Sequence, residues 1–245
     1  MCRPGVPLAA LAPGRKLDRS LMLVESPVSI ALHGQPGTRR YSLSSVAALL
    51  RRARAEPLKA VAAARALAAG YLCKALYRLL GRRFRAGRNF RLFGWLSVRG
   101  PGEVILGDDV VIRGRPRLWT YSRDARIIIG DRVMMGGAAF GCAQQIRIGR
   151  LSILARAQIR DTDFHSLTAD RHSADAPVRV APVHIGDNVW IGDRVGILPG
   201  TRIGDNSVVS FGAVCGREYP PNVIIVGNPA RVAAPIPGGS SEPQS

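Results

Sequence analysis

An aliphatic residue recurs at every sixth position in the C-terminal half of the chain. Ile185, Ile191, Ile197, Ile203 and Val209 form an unbroken series. This period fits neither the 3.6-residue repeat of an α-helix nor the two-residue alternation of an ordinary strand. It fits a triangular coil in which each hexad supplies one short strand and one turn. Neighbouring coils pair their backbones, so a stack of coils is stable where one coil is not.

Glycine follows many of these aliphatic residues, usually with an aspartate after it. The pattern occurs at Ile185, Ile191 and Ile203, and again upstream at Leu106, Ile129 and Ile148. Gly-Asp and Gly-Asn pairs are typical of tight turns, so they would form the corners of each coil. The sequence therefore predicts a mainly β fold, a parallel β-helix of hexapeptide repeats over residues 87–236.

The region before the repeats has a different composition. Residues 44–86 are rich in Ala, Leu and Arg, which favour helix, and Pro57 suits the first turn of a helix. The apolar residues Val61, Leu67, Leu72, Leu76, Leu79 and Leu80 lie mostly on one face of that helix, with basic residues around them. Such a basic amphipathic helix either lies on an anionic membrane surface or packs its stripe on the β-helix or a neighbouring subunit. We predict that residues 1–43 and 237–245 are disordered.

The net charge of +18 is concentrated at one end of the chain. Residues 1–100 carry 19 Lys and Arg against 3 Asp and Glu, a net of +16, and residues 101–245 carry 16 against 14, a net of +2. This division indicates two functional parts rather than a uniformly basic nucleic-acid-binding protein. The four cysteines form no C-x-x-C pair, which favours reduced thiols over a zinc site. We predict a cytoplasmic protein, attached peripherally to the inner membrane face if the basic helix binds lipid.

Two motifs carry a family resemblance. The segment Val189–Gly192 reads V-W-I-G, and Gly227–Arg231 reads G-N-P-A-R. With these motifs, residues 100–236 resemble the hexapeptide-repeat acyltransferases, in particular the branch containing galactoside, maltose, nodulation-factor and polysaccharide O-acetyltransferases. The resemblance implies a left-handed β-helix, a homotrimer with active sites between subunits, acetyl-CoA bound along the groove beside the coils, and no required metal.

The resemblance also implies a catalytic histidine in a loop or coil before V-W-I-G. The matching residue is His165, which is followed by an irregular stretch up to Pro182. Histidine ionises near neutral pH and suits the removal of a proton from an acceptor hydroxyl. We assign His165 as the general base; Asp161 or Asp163 would orient its imidazole or hold the acceptor, and turn formation is an equal alternative for both. His172, on the same stretch, is the second candidate for the base.

The same resemblance points to residues that would hold coenzyme A. Trp190 and Phe211 are assigned to the CoA groove, Gly192 to close approach of the pantetheine arm, and Arg217 and Arg231 to the CoA phosphates. Packing between coils is an equal alternative for Trp190, and an ordinary corner for Gly192. No residue is assigned to a metal.

The predicted function is transfer of an acyl group, most simply acetyl, from CoA to a sugar hydroxyl in cell-surface polysaccharide or glycoconjugate biosynthesis. One alternative is a trimeric scaffold that only binds a partner, since this fold also occurs without catalysis. Another is a metalloenzyme of the γ-type carbonic anhydrase class, which would use His165, His172 and His184. Amine acceptors also remain open, and no nucleic-acid partner is predicted.

Overall fold

The structure, a computed structural model, describes residues 56–237: one helix followed by a solenoid of parallel strands. Helix α1 spans Pro57–Leu79, with Pro57 in its first turn as predicted. Disorder was predicted for residues 1–43 and 237–245, and a helix start near residue 44; all of these positions except residue 237 lie outside the described residues. Within residues 56–237 no helix is long and apolar enough to span a membrane.

Three parallel sheets form the faces of the solenoid. The first sheet contains, in spatial order, β1 (Phe84–Ala86), β4 (Glu103–Leu106), β7 (Arg126–Ile129), β10 (Gln145–Ile148), β13 (Val183–Ile185), β16 (Arg202–Ile203) and β19 (Glu218–Tyr219). The second contains β2 (Arg91–Leu92), β5 (Val111–Ile112), β8 (Met134–Met135), β11 (Ile153–Leu154), β14 (Trp190–Ile191), β17 (Val208–Val209), β20 (Val223–Val226) and the antiparallel β21 (Arg231–Pro235). The third contains β3 (Ser97–Arg99), β6 (Arg117–Thr120), β9 (Ala139–Cys142), β12 (Gln158–Arg160), β15 (Gly196–Ile197) and β18 (Val214–Cys215).

The chain visits the three sheets in turn, so it forms about seven coils of triangular cross-section, as the hexad period predicts. The aliphatic residues of the hexads point inward: Ile185, Ile191 and Ile197 are almost completely buried, and each is in register with an aliphatic residue of the next coil or with Cys215. The mainly β solenoid with a helix before it is therefore confirmed. Its left-handedness stays a prediction.

Most of the Gly-Asp pairs form the first corner, between the first and second sheets, whereas Gly192 and Asp193 lie at the second corner, between the second and third sheets. The Asp187 side chain accepts a hydrogen bond from the backbone N–H of Arg150 at 2.9 Å, and Asp205 accepts one from the N–H of Asp187 at 2.7 Å. The next residue, Asn188 or Asn206, has a positive φ that asparagine tolerates well, and the two amides are joined at 3.0 Å. Each corner is thus bonded to the next by the residues that the motif repeats.

The glycine of this motif allows two coils to approach closely, which gives a test of the corner. A Cβ on Gly149 would overlap the carbonyl oxygen and carbon of Gly186 in the next coil, whereas one on Gly196 would lie 3.6 Å from Val214 Cγ2, an ordinary contact. We expect Gly149→Ala to destabilise the protein by about 1–3 kcal/mol, and Gly196→Ala to change the stability by less than about 0.5 kcal/mol. Thermal unfolding of both variants makes the comparison, and equal midpoints would contradict the close-approach role.

Helix α1 packs on the first coil through one face, which consists of three small residues and a tyrosine. Ala66, Gly70, Cys73 and Tyr77 are buried. A Cβ on Gly70 would overlap the carbonyl oxygen of Phe90. The Tyr77 hydroxyl donates to the Leu96 carbonyl at 2.7 Å. The packed face is therefore a different one from the leucine stripe, so the interpretation that the stripe packs on the chain's own β-helix is wrong.

The solenoid begins slightly before the predicted residue 87. Strand β1 starts at Phe84 and pairs with β4 over its whole length. The Phe84 ring is buried and meets the rings of Tyr77 and Phe90 edge-on, with centroids 5.2 and 6.4 Å apart. This aromatic cluster joins the helix to the first coil, and the hexad pattern does not reveal it because the first coil has no Gly-Asp pair.

Candidate active site

A long loop leaves the solenoid at the third corner, between the third and first sheets. Ile148 and Ile185 are register partners although they are 37 positions apart (185 − 148), whereas Ile185 and Ile203 are 18 apart (203 − 185). The extra residues are those between β12 and β13, which the sequence identified as the interruption before V-W-I-G. Functional loops are commonly placed in this way on a rigid scaffold.

Backbone pairing closes the base of this loop. Thr162 and Val180 form an antiparallel bridge. The Asp163 N–H donates to the Arg179 carbonyl at 3.1 Å, and the Ala181 N–H donates to the Asp161 carbonyl at 2.9 Å. The loop therefore leaves and rejoins the solenoid at one fixed place, which gives the residues just after the neck a defined position.

His165 and His172 line the same concavity in this loop. The concavity has a volume of about 430 Å³, and its other lining residues are Ser166, Leu167 and Arg171. His165 is exposed, so its imidazole is open to an incoming substrate. The buried Ser166 hydroxyl is bonded to the Thr168 hydroxyl at 2.9 Å, which fixes the residue after the histidine. The two histidines predicted as candidate bases thus share one site.

Asp161 holds the neighbouring coil together. Its fully buried carboxylate accepts hydrogen bonds from three successive backbone N–H groups, those of Ala143, Gln144 and Gln145, each at 2.7 Å. The Cys142 thiol also donates to it at 3.4 Å, and burial first and Asp161 second raise the pKa of that thiol. Because both carboxylate oxygens of Asp161 already accept hydrogen bonds from the protein, the residue fits the turn-forming role better than the catalytic one.

Asp163 differs from Asp161 in having an unused oxygen. Its Oδ2 atom is buried and has no hydrogen-bond partner among residues 56–237. A buried carboxylate oxygen without a donor is costly, and native proteins rarely keep one without a purpose. Asp163 lies two positions before His165, but because this oxygen is closed to solvent it belongs to the interior of the loop neck and not to the open concavity.

A groove lined by arginine and aromatic residues runs along the outer surface of the third sheet. Its volume is about 110 Å³, and we call it the aromatic groove; it is lined by Arg117, Trp119, Tyr121, Ala139, Phe140, Gly141, Gln158 and Arg160. Phe164 joins it to the loop: its ring meets the Tyr121 ring edge-on with centroids 4.8 Å apart, and the Arg160 guanidinium lies 4.9 Å from its centroid. The groove therefore ends one residue before His165.

Trp119 is the central side chain of the aromatic groove. The guanidinium groups of Arg99 and Arg117 lie 5.5 and 5.7 Å from its ring centroid. Its indole nitrogen is buried and has no hydrogen-bond partner in the described part of the chain. The sequence analysis did not identify this groove. The signal for it was the alternation Arg117, Trp119, Tyr121, which places Arg117 and Trp119 on the outer face of β6 and Tyr121 directly after the strand.

Two residues assigned to coenzyme A lie on the side of the second sheet. Trp190, in β14, is 54% exposed, and Phe211, at the second corner between the second and third sheets, is 64% exposed. The Arg194 guanidinium lies 5.5 Å from the Phe211 ring centroid. Gly192 begins the same corner one coil earlier. A Cβ at this position would lie 2.9 Å from the Val209 carbonyl oxygen. The close packing of the coils therefore requires a glycine here, whether or not coenzyme A binds beside it.

The two assigned arginines are on different edges of the molecule. Arg231 opens β21, beside the second sheet, and Arg217 lies at the third corner, where its guanidinium is 5.6 Å from the Tyr219 ring centroid. His165 is also at the third corner, whereas Phe211 is at the second. One chain therefore does not bring all the predicted site residues together.

His184 lies apart from the other two histidines. It is half-buried in β13 and pairs in register with Arg147 on one side and Arg202 on the other. Burial first, and then Arg202 and Arg147, lower the pKa of His184. Among residues 56–237 no three His, Cys, Asp or Glu side chains are grouped closely enough to hold a metal ion. His184 therefore lies in the ladder of the first sheet, between Arg147 and Arg202.

Comparison with known proteins gives matches in the second half of the solenoid. Residues 182–217 match the family model of the bacterial transferase hexapeptide (six repeats). The chain is 51% identical over 55 residues to the galactoside O-acetyltransferase of Escherichia coli (strain K12), which is 22% of this chain and 27% of that enzyme. A relative from Saccharomyces cerevisiae is 54% identical over 55 residues, 28% of its length. The chain thus matches about a quarter of the length of these relatives.

A solved structure covers more of the chain. The polysialic acid O-acetyltransferase OatWY is 28% identical, with a TM-score of 0.54, over 66% of this chain and 79% of that one. The resemblance to hexapeptide-repeat acyltransferases that the V-W-I-G and G-N-P-A-R motifs indicated is confirmed by these matches.

Proposed function

We propose that the protein is an acyl-CoA-dependent O-acyltransferase, with acetyl-CoA as donor and a sugar hydroxyl as acceptor, in the biosynthesis of a cell-surface polysaccharide or glycoconjugate. The observation that carries the proposal is the exposed His165 on the anchored loop directly before residues 182–217, which match the transferase model. Two O-acetyltransferases to which the chain is similar act, by their names, on a galactoside and on polysialic acid.

The imidazole of His165 acts as the general base. It accepts the proton of the acceptor hydroxyl while that oxygen attacks the carbonyl carbon of the thioester. The tetrahedral intermediate then collapses by cleavage of the carbon–sulfur bond, and the imidazolium returns the proton to the departing sulfur. The products are an ester and free CoA, and the histidine ends in its starting state. Backbone N–H groups beside the coils would stabilise the oxyanion.

The donor site is assigned to the second sheet and second corner of a neighbouring subunit. His165 and Phe211 lie on different corners of one chain, and this separation supports a site that two copies would complete together. The outward-facing column of the second sheet is apolar, with Met134, Ile153 and Trp190 in register. This column suits a contact between subunits, and a homotrimer would close three such sites. Arg217 and Arg231 remain our candidates for the CoA phosphates.

The acceptor is assigned to the concavity at His165 and to the aromatic groove beside it. Faces of Trp119 and Tyr121 suit the apolar face of a sugar ring. Arg117 and Arg160 suit an acidic substituent, which guanidinium groups bind with two hydrogen bonds. The acceptor that this surface fits best is a saccharide with a negatively charged group near the acetylated residue.

A thiol-release assay tests the class of reaction. The full chain is incubated with acetyl-CoA and a panel of neutral and acidic mono- and oligosaccharides, and free CoA is measured against a control without acceptor. We expect release that depends on the saccharide and is fastest with an acidic oligosaccharide. Release that no saccharide increases, with no binding of acetyl-CoA in a separate titration, would contradict the transferase and favour the scaffold.

The aromatic groove gives a prediction of its own. Trp119→Ala should raise the KM for the saccharide about tenfold, the equivalent of about 1.4 kcal/mol of lost binding, and leave the KM for acetyl-CoA unchanged. Phe93→Ala is the matched control, since Phe93 also stacks with an arginine, Arg113, at 4.7 Å but does not line the groove. If both variants gave the same saccharide KM, the groove would not be the acceptor site.

A further inference from the structure

The outer face of helix α1 carries an apolar ridge. Its residues are strongly exposed: Leu58 85%, Val61 57%, Leu72 71%, Leu76 46% and Leu79 86%. We call these five residues the leucine ridge. Leu72, Leu76 and Leu79 follow the spacing of one helical face. A different face of the helix, which contains Gly70, packs on the solenoid. Soluble proteins rarely leave such an apolar row uncovered unless it binds something.

The surroundings of the ridge are strongly basic. From Pro57 to Gly102 the chain has ten Lys and Arg and no Asp or Glu. Acidic residues just outside this segment pair with some of the ten: Glu56 with Lys59, Glu103 with Arg83 and Arg85, and Asp108 with Arg88. Within residues 56–237 the ion pairs include none to Arg65, Arg78 or Arg82. These guanidinium groups keep their positive charge available on the helix and just after it.

We propose that α1 docks the protein on an anionic lipid surface, with the leucine ridge in the headgroup and acyl boundary and the arginines against the lipid phosphates. A helix with one apolar face and basic residues around it binds in the plane of a membrane in this way. Trp95, 64% exposed in the coil on which α1 packs, adds an aromatic residue of the kind enriched at the membrane interface. This docking is independent of the proposed reaction.

Two other occupants fit the surface less well. A second copy presenting the same ridge would bring the two basic surfaces together, and like charges repel without an acidic residue between Pro57 and Gly102 to offset them. A nucleic acid would match the charge, but single-stranded binders use aromatic residues for stacking, whereas the ridge is entirely aliphatic. Of these three occupants, the lipid surface is the one that uses both the apolar ridge and the positive charge.

Vesicle sedimentation of the full chain tests the proposal. Vesicles of phosphatidylcholine alone are compared with vesicles that also contain phosphatidylglycerol, at low and high salt. The ridge variant is Leu72→Gln, Leu76→Gln and Leu79→Gln together; glutamine keeps the helix propensity high. The matched control, Ala62→Gln with Ala64→Gln, changes two exposed alanines of the same helix to the same residue.

The wild type and the control should bind the phosphatidylglycerol vesicles, and less so at high salt. The ridge variant should lose on the order of a hundredfold in partition coefficient. Absence of binding to anionic vesicles, or equal binding of the ridge variant and the control, would overturn the proposal. A changed oligomeric state of the ridge variant in analytical ultracentrifugation would overturn it in favour of a contact between copies. Because none of these readouts needs turnover, loss of the proposed acyltransferase activity would not affect them.

Discussion

Replacing His165 with alanine is expected to lower kcat for acyl transfer by about 10²–10⁴-fold, the usual contribution of a positioned general base. The imidazole is exposed in its concavity, so its removal should leave the midpoint of thermal unfolding within error of the wild type. The binding of acetyl-CoA should also be retained, because the residues assigned to the donor lie on another corner. Steady-state kinetics, calorimetry and a CoA titration on the same preparation measure the three quantities.

Two other histidines serve as controls for this prediction. His172→Ala changes the second histidine of the same concavity, and His184→Ala changes one on the first sheet. We expect both to keep kcat within about tenfold of the wild type, a change of about 1.4 kcal/mol in the barrier. If His165→Ala kept a kcat near that of the wild type and His172→Ala lost most of its kcat, His172 and not His165 would be the general base.

Replacing Asp161 with alanine is expected to destabilise the protein by about 2–5 kcal/mol, since hydrogen bonds to a charged group contribute about 1.5–3 kcal/mol each and are not additive. The three N–H groups of residues 143–145 would lose their common acceptor. Asp161→Asn keeps one acceptor oxygen and should lose roughly half as much. Urea unfolding measures the difference, with Asp170→Ala, an exposed residue of the same loop, as the control.

Activity separates the two roles considered for Asp161. If it forms the turn, the folded fraction of Asp161→Asn should keep most of its kcat at a temperature well below its unfolding midpoint. A kcat lowered by more than about 100-fold, or about 2.7 kcal/mol, in a variant that remains fully folded would instead make Asp161 part of the catalytic site.

The solenoid was predictable because its stabilising contacts repeat with the sequence. Each inward aliphatic residue, such as Ile185 or Ile191, meets its counterpart one coil away, and each Asp of the Gly-Asp pairs caps the previous corner. The six-residue period of the sequence therefore predicts both the buried core positions and the turns. Handedness is different, because the hexad spacing is the same for either hand, and it stays a prediction taken from the resemblance.

The packing of α1 could not be predicted from hydrophobicity. The leucines form the clearest apolar stripe, yet the solenoid takes the face of Ala66 and Gly70, because small side chains let the helix axis approach the Phe90 carbonyl. The Tyr77 hydroxyl then finds acceptor and donor groups in the first coil. These contacts depend on the shape of the end of the solenoid, which composition does not encode.

The candidate site was predictable in part. The hexad pattern breaks off before V-W-I-G, which predicted that His165 and His172 lie on one loop. In the structure the two histidines line the same concavity. The aromatic groove was missed because it is assembled across coils: Tyr121 and Phe164 are 43 positions apart (164 − 121) and meet only through the stacking of β6, β9 and β12. The different environments of Asp161 and Asp163 likewise follow from tertiary contacts and not from their spacing.

The central claim, that His165 directs acetyl transfer from CoA to a sugar hydroxyl, is tested most directly by following a labelled acetyl group. The wild type and His165→Ala are incubated with labelled acetyl-CoA and the saccharide that gives the fastest thiol release, and the saccharide product is analysed before and after mild alkali. We predict label in the product of the wild type alone, removed by alkali as expected of an ester. Label that resists alkali, label formed equally by His165→Ala, or no label in any saccharide would contradict the account.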